Sequence, residues 1–387
     1  MKAFPKWRLH ESVAHWIYDP NVVGLDMRYK VVGGRETREW AICVQVLEKK
    51  PISALTEREL HIPPTVETLT AGPGSSAARG LTPTDVIEVE APLLHQGFEG
   101  MYDRPAWGGL GIGIRSDNGK QMLMGTMTVA DWGGVARIFS AGHVFNTKYV
   151  TAGMPDRNKV NPAAPIYQPP AGLQLDPPGK WRSQKMQIGV MENGYPLFRY
   201  PANQLGPYYF NTYDLAWAIP RTGTTSYAIG PGSLSPIWPQ PKQSIRISNI
   251  DSIPQATDLG THGGPAYGLH VAFAGVMTGL HEGRVRSVHS IVKTWGDDRR
   301  FFYCFRDLIR VDPTFGGAAA PGDSGAMLVA LGSKAGTGLG IMVGGNRSTQ
   351  SVYFARIPTA HPGNGPLRQP NYAPGPDPPP EGGTRLM

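Results

Sequence analysis

The pentapeptide Pro321-Gly322-Asp323-Ser324-Gly325 stands between strand-like runs at Phe301 to Val311 and Ala326 to Leu331. Glycines at 322 and 325 bracket a serine on a tight turn, which leaves its hydroxyl accessible. In such a turn the N–H groups of Gly322 and Ser324 can converge on one point, as an oxyanion hole requires. The competing reading is a polar hairpin loop, and the pentapeptide alone does not choose between the two.

Two upstream stretches bear on that choice. Ser140-Ala141-Gly142-His143-Val144 closes an apolar strand, and a histidine in a turn of small residues is placed to act as a general base; a structural histidine is the alternative. Tyr213-Asp214-Leu215-Ala216-Trp217-Ala218 opens an otherwise apolar strand with a carboxylate. A carboxylate buried at a strand start needs a partner, and an imidazole N–H would satisfy it while fixing the histidine tautomer. The plain alternative is a strand-capping aspartate.

The sequence around these motifs alternates short apolar runs with Gly, Pro, Asn and Asp clusters. Strands are expected near Met122 to Val129, Ala136 to Ser140, Met186 to Met191, Tyr213 to Ile219, Ser244 to Ile250, Ala266 to Met277, Arg284 to Val292, Phe301 to Val311, Ala326 to Leu331, Gly338 to Val343 and Val352 to Ile357. With no long helix between them, they point to an all-β barrel or sandwich. Gly (49) and Pro (37) are abundant among the 387 residues and charged residues make up only 17%, which favours strands and turns over helix bundles. Residues 155–178 are proline-rich and read as a surface insertion, and the Pro/Gly-rich tail from 361 to 387 reads as disordered.

Ahead of this region, residues 1–21 read as a leader with a short helix around Glu11 to Tyr18, and residues 22–96 as a small α+β module. Its pieces are the apolar run Val22 to Val32, the strand-like Trp40 to Leu47, a proline-bounded helical piece at Pro51 to Leu60 and a closing strand at Asp85 to Glu90. Residues 97–360 form the main domain.

The order His143, Asp214, Ser324 resembles the trypsin/chymotrypsin-like serine peptidases, in which base, orienting acid and nucleophile follow one another in the same way. SAGHV matches the histidine motif of that family, YDLAWA its aspartate strand and PGDSGAML its nucleophile loop. The separations between motifs exceed those of compact members, and the 155–178 insertion accounts for the first excess. GVMTGLHEGRV and FRDLIRVDPTFGGAAAPGDSG are similar to intracellular bacterial members, as is the module that precedes the domain. The resemblance implies two six-stranded antiparallel β-barrels, with His143 and Asp214 supplied by the first and Ser324 by the second. It also implies hydrolysis of a protein or peptide substrate without metal or organic cofactor. Ala318, six positions before the serine, would form the base of the substrate pocket, where the absence of charge argues against a basic preference. A catalytically silent peptide-binding or scaffolding protein on the same fold is the alternative.

Lys30-Val31-Val32-Gly33-Gly34 mimics the activation site of trypsin-type zymogens, but it lies too far ahead of His143 for that arrangement and reads as a hairpin turn. Asp323 then needs a partner other than a freed amino terminus, and the sequence does not identify one.

Other chemistries find little support. The net charge of +7 comes from scattered cations, so no nucleic-acid partner is expected. The spacings of His262, His270, His281 and His289 match no compact zinc pattern, and Gly109 to Gly113 lacks the third glycine of a dinucleotide fingerprint. Two cysteines, Cys43 and Cys304, are too few for a disulfide framework and read as buried thiols. No secretory or membrane-spanning stretch is evident, so no membrane association and a cytoplasmic location are expected. The leading module is the candidate docking element for a regulatory partner.

Overall fold

The computed structural model describes residues 13–33, 35–55, 60–70, 78–94, 108–115, 122–132, 135–146, 148–150, 156–168, 187–206, 208–222, 267–296, 299–315, 319–332 and 336–358. The chain is nearly all β. The first strands are β1 (Val22–Val32), β2 (Arg35–Val46), β3 (Thr65–Thr70), β4 (Ala78–Glu88) and β5 (Leu93–Leu94). They are followed by β6 (Gly111–Arg115), β7 (Met122–Thr126), β8 (Val129–Trp132), β9 (Val135–Ser140), β10 (Lys148–Val150), β11 (Asp156–Lys159), β12 (Pro165–Tyr167), β13 (Gln187–Gly194), β14 (Leu197–Pro201) and β15 (Ala216–Pro220). The last six are β16 (His270–Gly275), β17 (Gly279–Trp295), β18 (Phe301–Phe315), β19 (Met327–Ala330), β20 (Gly338–Asn346) and β21 (Ser351–Arg356). A single helical turn, α1 (Gly142–Phe145), follows β9.

One sheet runs in the order β7-β6-β12-β13-β15-β9-β8. Its terminal members β7 and β8 are halves of one strand bent at Met127-Thr128. The first half bonds to β6 and the second to β9, and the Met127 and Thr128 amides continue the two ladders to Leu110 and Phe139. The bend closes the sheet into a six-stranded barrel, because a single strand serves both free edges. The second barrel closes through the β17–β18 pairing, in the cyclic order β17-β18-β21-β20-β19-β16. Inward-facing residues such as Ile112, Ile138, Ile188 and Trp217 fill the first barrel, and Phe273, Val285, Leu328 and Phe354 the second.

The strands ahead of the barrels extend the second barrel's sheet. β1 bonds to β17, with Gly24 opposite Val292 and Leu25 opposite Ile291, and β2, β4 and β3 follow outward. Val32 pairs with Arg35, so β1 and β2 form a hairpin at the expected place, with Gly33 at φ 57°; Gly34 lies outside the described residues. Among the described residues of 22–94 the helical content is the one turn at Ile52–Ala54; the residues expected as the rest of that helix, 56–59, lie outside the described ones. The expected short helix of the leader is a single turn at Ala14–Tyr18.

The same segment is joined to the second barrel by a buried polar network. Arg310 Nη1 donates to Asp26 Oδ2 at 2.6 Å, Arg310 Nε to Ser351 Oγ at 3.0 Å, and the Tyr353 hydroxyl to Gln45 Oε1 at 3.1 Å. Cys43 and Cys304 are free and buried, and burial pushes both thiols up, Cys304 to about 12. The reading of 155–178 as a surface insertion is corrected in its described part: β12 pairs with β6 and β13 as a strand of the first barrel and buries Ile166 in that core, because the short apolar run is flanked by prolines that hide its strand character. Residues 155 and 169–178, the expected strand at Ser244 to Ile250 and the tail at 361–387 lie outside the described residues.

Candidate active site

The apolar strand β9 ends at Ser140, and the small residues Ala141 and Gly142 turn the chain into α1, which places His143 at the mouth of the first barrel. Asp214 precedes β15, the neighbour of β9, so sheet pairing carries the carboxylate to the imidazole. Asp214 Oδ2 lies 2.6 Å from His143 Nδ1, and Oδ1 accepts the His143 backbone amide at 2.8 Å. Both side chains are fully buried. A carboxylate only accepts, so Nδ1 carries the proton and Nε2 is left as the basic nitrogen. Nε2 is buried and has no hydrogen-bond partner among the described residues.

Ser324 stands on the turn into β19, in the second barrel. The first barrel holds that turn. The Thr126 amide donates to Ser324 O at 2.7 Å, and the Thr126 hydroxyl donates to Gly322 O at 2.9 Å while accepting from the Val276 amide at 3.1 Å. Thr128 Oγ1 donates to Gly325 O at 2.6 Å, and Ser140 Oγ to Thr126 O at 2.8 Å. Gly125 shows how close the motifs come: a Cβ there would lie 2.7 Å from Val144, the neighbour of His143, and 2.8 Å from Ser324 O. The fold thus draws the histidine motif and the nucleophile loop together from opposite barrels.

The expectation of an accessible hydroxyl is corrected: Ser324 is buried, and its Oγ donates to Val343 O at 3.2 Å because β20 runs against the nucleophile loop. Gly322 has φ 108°, a conformation reserved for glycine. The loop spends its Asp323, Gly325 and Ala326 amides on Ala320, Met342 and Asp323 carbonyls. Among the described residues no such acceptor takes the Gly322 or Ser324 amide. Ala318 lies outside the described residues.

Asp323 has found neutral partners. Its Oδ1 accepts the Met277 and Thr278 amides at 2.9 and 3.3 Å, and its Oδ2 accepts Thr278 Oγ1 at 2.6 Å and the Ala320 amide at 2.8 Å. The Thr278 hydroxyl is approached in turn by His281 Nε2 at 2.5 Å. Gly275 makes room for this arrangement, since a Cβ there would lie 2.0 Å from Asp323 Oδ1. Burial pushes the Asp323 carboxyl up, and the bonds from Thr278, Ala320 and Met277 oppose the rise. Neither Thr126 nor Thr278 stands out in the sequence; the one local signal is the pair Thr126 and Thr128 inside an otherwise apolar run at 122–129.

Of the histidines singled out for a metal site, His270 pairs with Glu282 and His289 with Asp307, and His262 lies outside the described residues. Among the described residues no three His, Cys, Asp or Glu side chains gather as a metal site would require.

No protein-family model and no curated protein sequence matches the chain. Among solved structures it is similar to a chymotrypsin of Cellulomonas bogoriensis, with 17% identity over 65% of this chain and 91% of that one and a TM-score of 0.36. It is also similar to a protease of M. tuberculosis in its active form (13% identity, 66% and 77% coverage, TM-score 0.31) and to protease Anisep of Arthrobacter nicotinovorans (14%, 69% and 92%, TM-score 0.28). Two closed six-stranded barrels of this strand order decide the architecture. The fold is a chymotrypsin-like double β-barrel. In such a double barrel, His143 and Asp214 belong to the first half and Ser324 to the second. Among the described residues, no helix is long and apolar enough to cross a membrane.

Proposed function

We propose that the chain is a serine endopeptidase that works through His143, Asp214 and Ser324. The observation that carries this reading is the buried His143–Asp214 pair, which leaves Nε2 as the base. Ser324 Oγ gives its proton to His143 Nε2 as it attacks the scissile carbonyl carbon. The carbonyl oxygen becomes an oxyanion held by the Gly322 and Ser324 amides. Asp214 keeps the imidazole in the required tautomer and stabilises the imidazolium. The histidine then protonates the leaving amine, and water, activated by the same nitrogen, releases the acyl group from Ser324. The chemistry calls on no cofactor, and an uncharged Ala318 would favour small or apolar side chains before the scissile bond. The two buried thiols fit a reducing, cytoplasmic setting.

One observation favours a second reading, a silent binding protein on the same fold: Ser324 Oγ is buried and bonded to Val343 O. Catalytic hydrogen bonds often tighten only when substrate binds, so this geometry is also compatible with an enzyme at rest. Labelling of the full-length protein with a small fluorophosphonate, read by intact mass, separates the two. A single adduct abolished by both Ser324→Ala and His143→Ala establishes an activated serine, and no adduct leaves the binding protein. In a peptide assay Ser324→Ala should lower turnover by about 10⁶-fold.

A further inference from the structure

The two edges of β20 are used differently. β21 pairs along one edge from Gly340 to Asn346. The other edge meets β19 from Gly338 to Ile341, and then the nucleophile loop, where Met342 exchanges backbone bonds with Ala326 and Gly325. Next comes the nucleophile itself, through Ser324 Oγ to Val343 O. The same edge ends on β5, with Leu94 opposite Gly344 and Leu93 opposite Gly345 in antiparallel register. Read from 93 to 94, β5 therefore advances along the edge toward Val343 and Ser324.

A polypeptide to be cut must bring a carbonyl carbon to Ser324 Oγ. An extended chain does this most readily by adding as a strand to a sheet edge that leads to the nucleophile, its backbone supplying the hydrogen bonds. The only such edge among the described residues is the one at Gly344-Gly345, and β5 lies on it. We propose that Leu93-Leu94 is a built-in occupant of the substrate's strand position, so that an extended protein segment binds by displacing it. This rests on the serine-peptidase reading.

The attachments of the segment suit that role. Glu90 O accepts from Asn346 Nδ2 at 2.8 Å, the Glu90 amide donates to Ser348 Oγ at 3.1 Å, and Pro92 O accepts the Trp295 amide at 3.0 Å. The chain is tied down up to Pro92, β5 is also held to β17 by the parallel pairing of Leu93 with Trp295, and only the two residues of β5 cover the β20 edge itself. A two-residue strand holds few backbone bonds and exchanges at low cost, whereas the anchors behind it keep the occupant near the site.

The test compares wild type with Leu93→Pro, using two probes on the full chain; the Trp295 pairing turns the Leu94 amide toward β17, so the Leu93 amide is the one that faces Gly345 and is removed. One is the small fluorophosphonate, too short to need the strand position, and the other a peptidyl phosphonate with three residues before the reactive phosphorus. Leu93→Pro should speed the peptidyl reagent roughly fivefold, the effect of losing about one net backbone bond, and change the small reagent less than twofold. Equal peptidyl rates in a wild type that the small reagent labels would overturn the proposal and leave the peptidase reading intact. Failure of the small reagent to label either protein would remove that reading and the proposal with it. Should Leu93→Pro not fold, wild type with a saturating peptidyl boronate decides by hydrogen exchange. Faster exchange across 89–94 supports displacement; unchanged or slower exchange, or no binding, overturns it.

Discussion

Replacing Arg310 by methionine should destabilise the whole chain, because the guanidinium joins the leading strands to the second barrel. Arg310 lies in the barrel strand β18, and its Nη1 reaches Asp26 on β1 at 2.6 Å, with the two side chains 4% and 0% exposed. Burial alone would lower the guanidinium's pKa, but Asp26 and Asp312 outweigh it and hold it well above the ordinary arginine range, so it stays charged. Without it, Asp26 keeps only the 3.5 Å contact from Gln45 Nε2, and a buried carboxylate stands uncompensated. Breaking a buried pair from one side costs about 3–5 kcal/mol. The loss of the Nε bonds to Asp312 and Ser351 adds little, since Asp312 is partly solvated. Guanidinium unfolding followed by tryptophan fluorescence and by far-ultraviolet circular dichroism measures the effect. Both probes should report one coincident transition shifted to lower denaturant. Asp26→Leu/Arg310→Met should regain at least half of the loss, because removing both charges leaves no orphan ion. A loss under about 1 kcal/mol, or two separate transitions in wild type, would refute the argument that the network makes the leading strands part of one cooperative unit.

Three further outcomes follow from the site and its surroundings. Thr278→Val deprives Asp323 of its hydroxyl donor and should lower kcat about tenfold with little change in KM, whereas Thr278→Ser should restore it; steady-state kinetics with a peptide substrate decides. Gly275→Ala forces a Cβ to within 2.0 Å of Asp323 Oδ1, and it should abolish fluorophosphonate labelling while the circular dichroism spectrum persists. Lys293 is buried in the second barrel's outer core, where burial lowers its pKa from 10.5 to about 8. Between those values the unfolded chain binds more protons than the folded one, so this residue's contribution to stability rises with pH. The stability difference between Lys293→Met and wild type should therefore move in favour of wild type as pH is raised from 8 to 10.5 in urea titrations, and a pH-independent difference would contradict the burial argument.

The barrels were legible because their strands carry their own signal. Runs such as Ala136 to Ser140, Gly338 to Val343 and Val352 to Ile357 are short, apolar and bounded by turn formers, and the strands at Val135–Ser140, Gly338–Asn346 and Ser351–Arg356 follow them closely. The histidine and serine motifs stand out because small residues flank them, Ala141-Gly142 and Gly322 with Gly325, and Asp214 because it is a carboxylate opening an otherwise apolar strand. What escaped the sequence depends on pairing between distant residues. Gly24 meets Val292, and Leu93 meets both Trp295 and Gly345, and nothing local in the alternation of β1 or in the pair Leu93-Leu94 specifies those partners. The partner of Asp323 was hidden for the same reason. A cation would have been visible as a residue type, but backbone amides and one threonine hydroxyl in the 275–279 turn are not.

Thr126 ends a strand of the first barrel, yet it holds the serine loop of the second by its amide and its hydroxyl. The two halves of this chain are consequently not interchangeable parts. A chimera that takes its first barrel from another protein would inherit a different residue at this seam, and would need threonine at 126 and 128 and serine at 140 written back in before the second half could be expected to work.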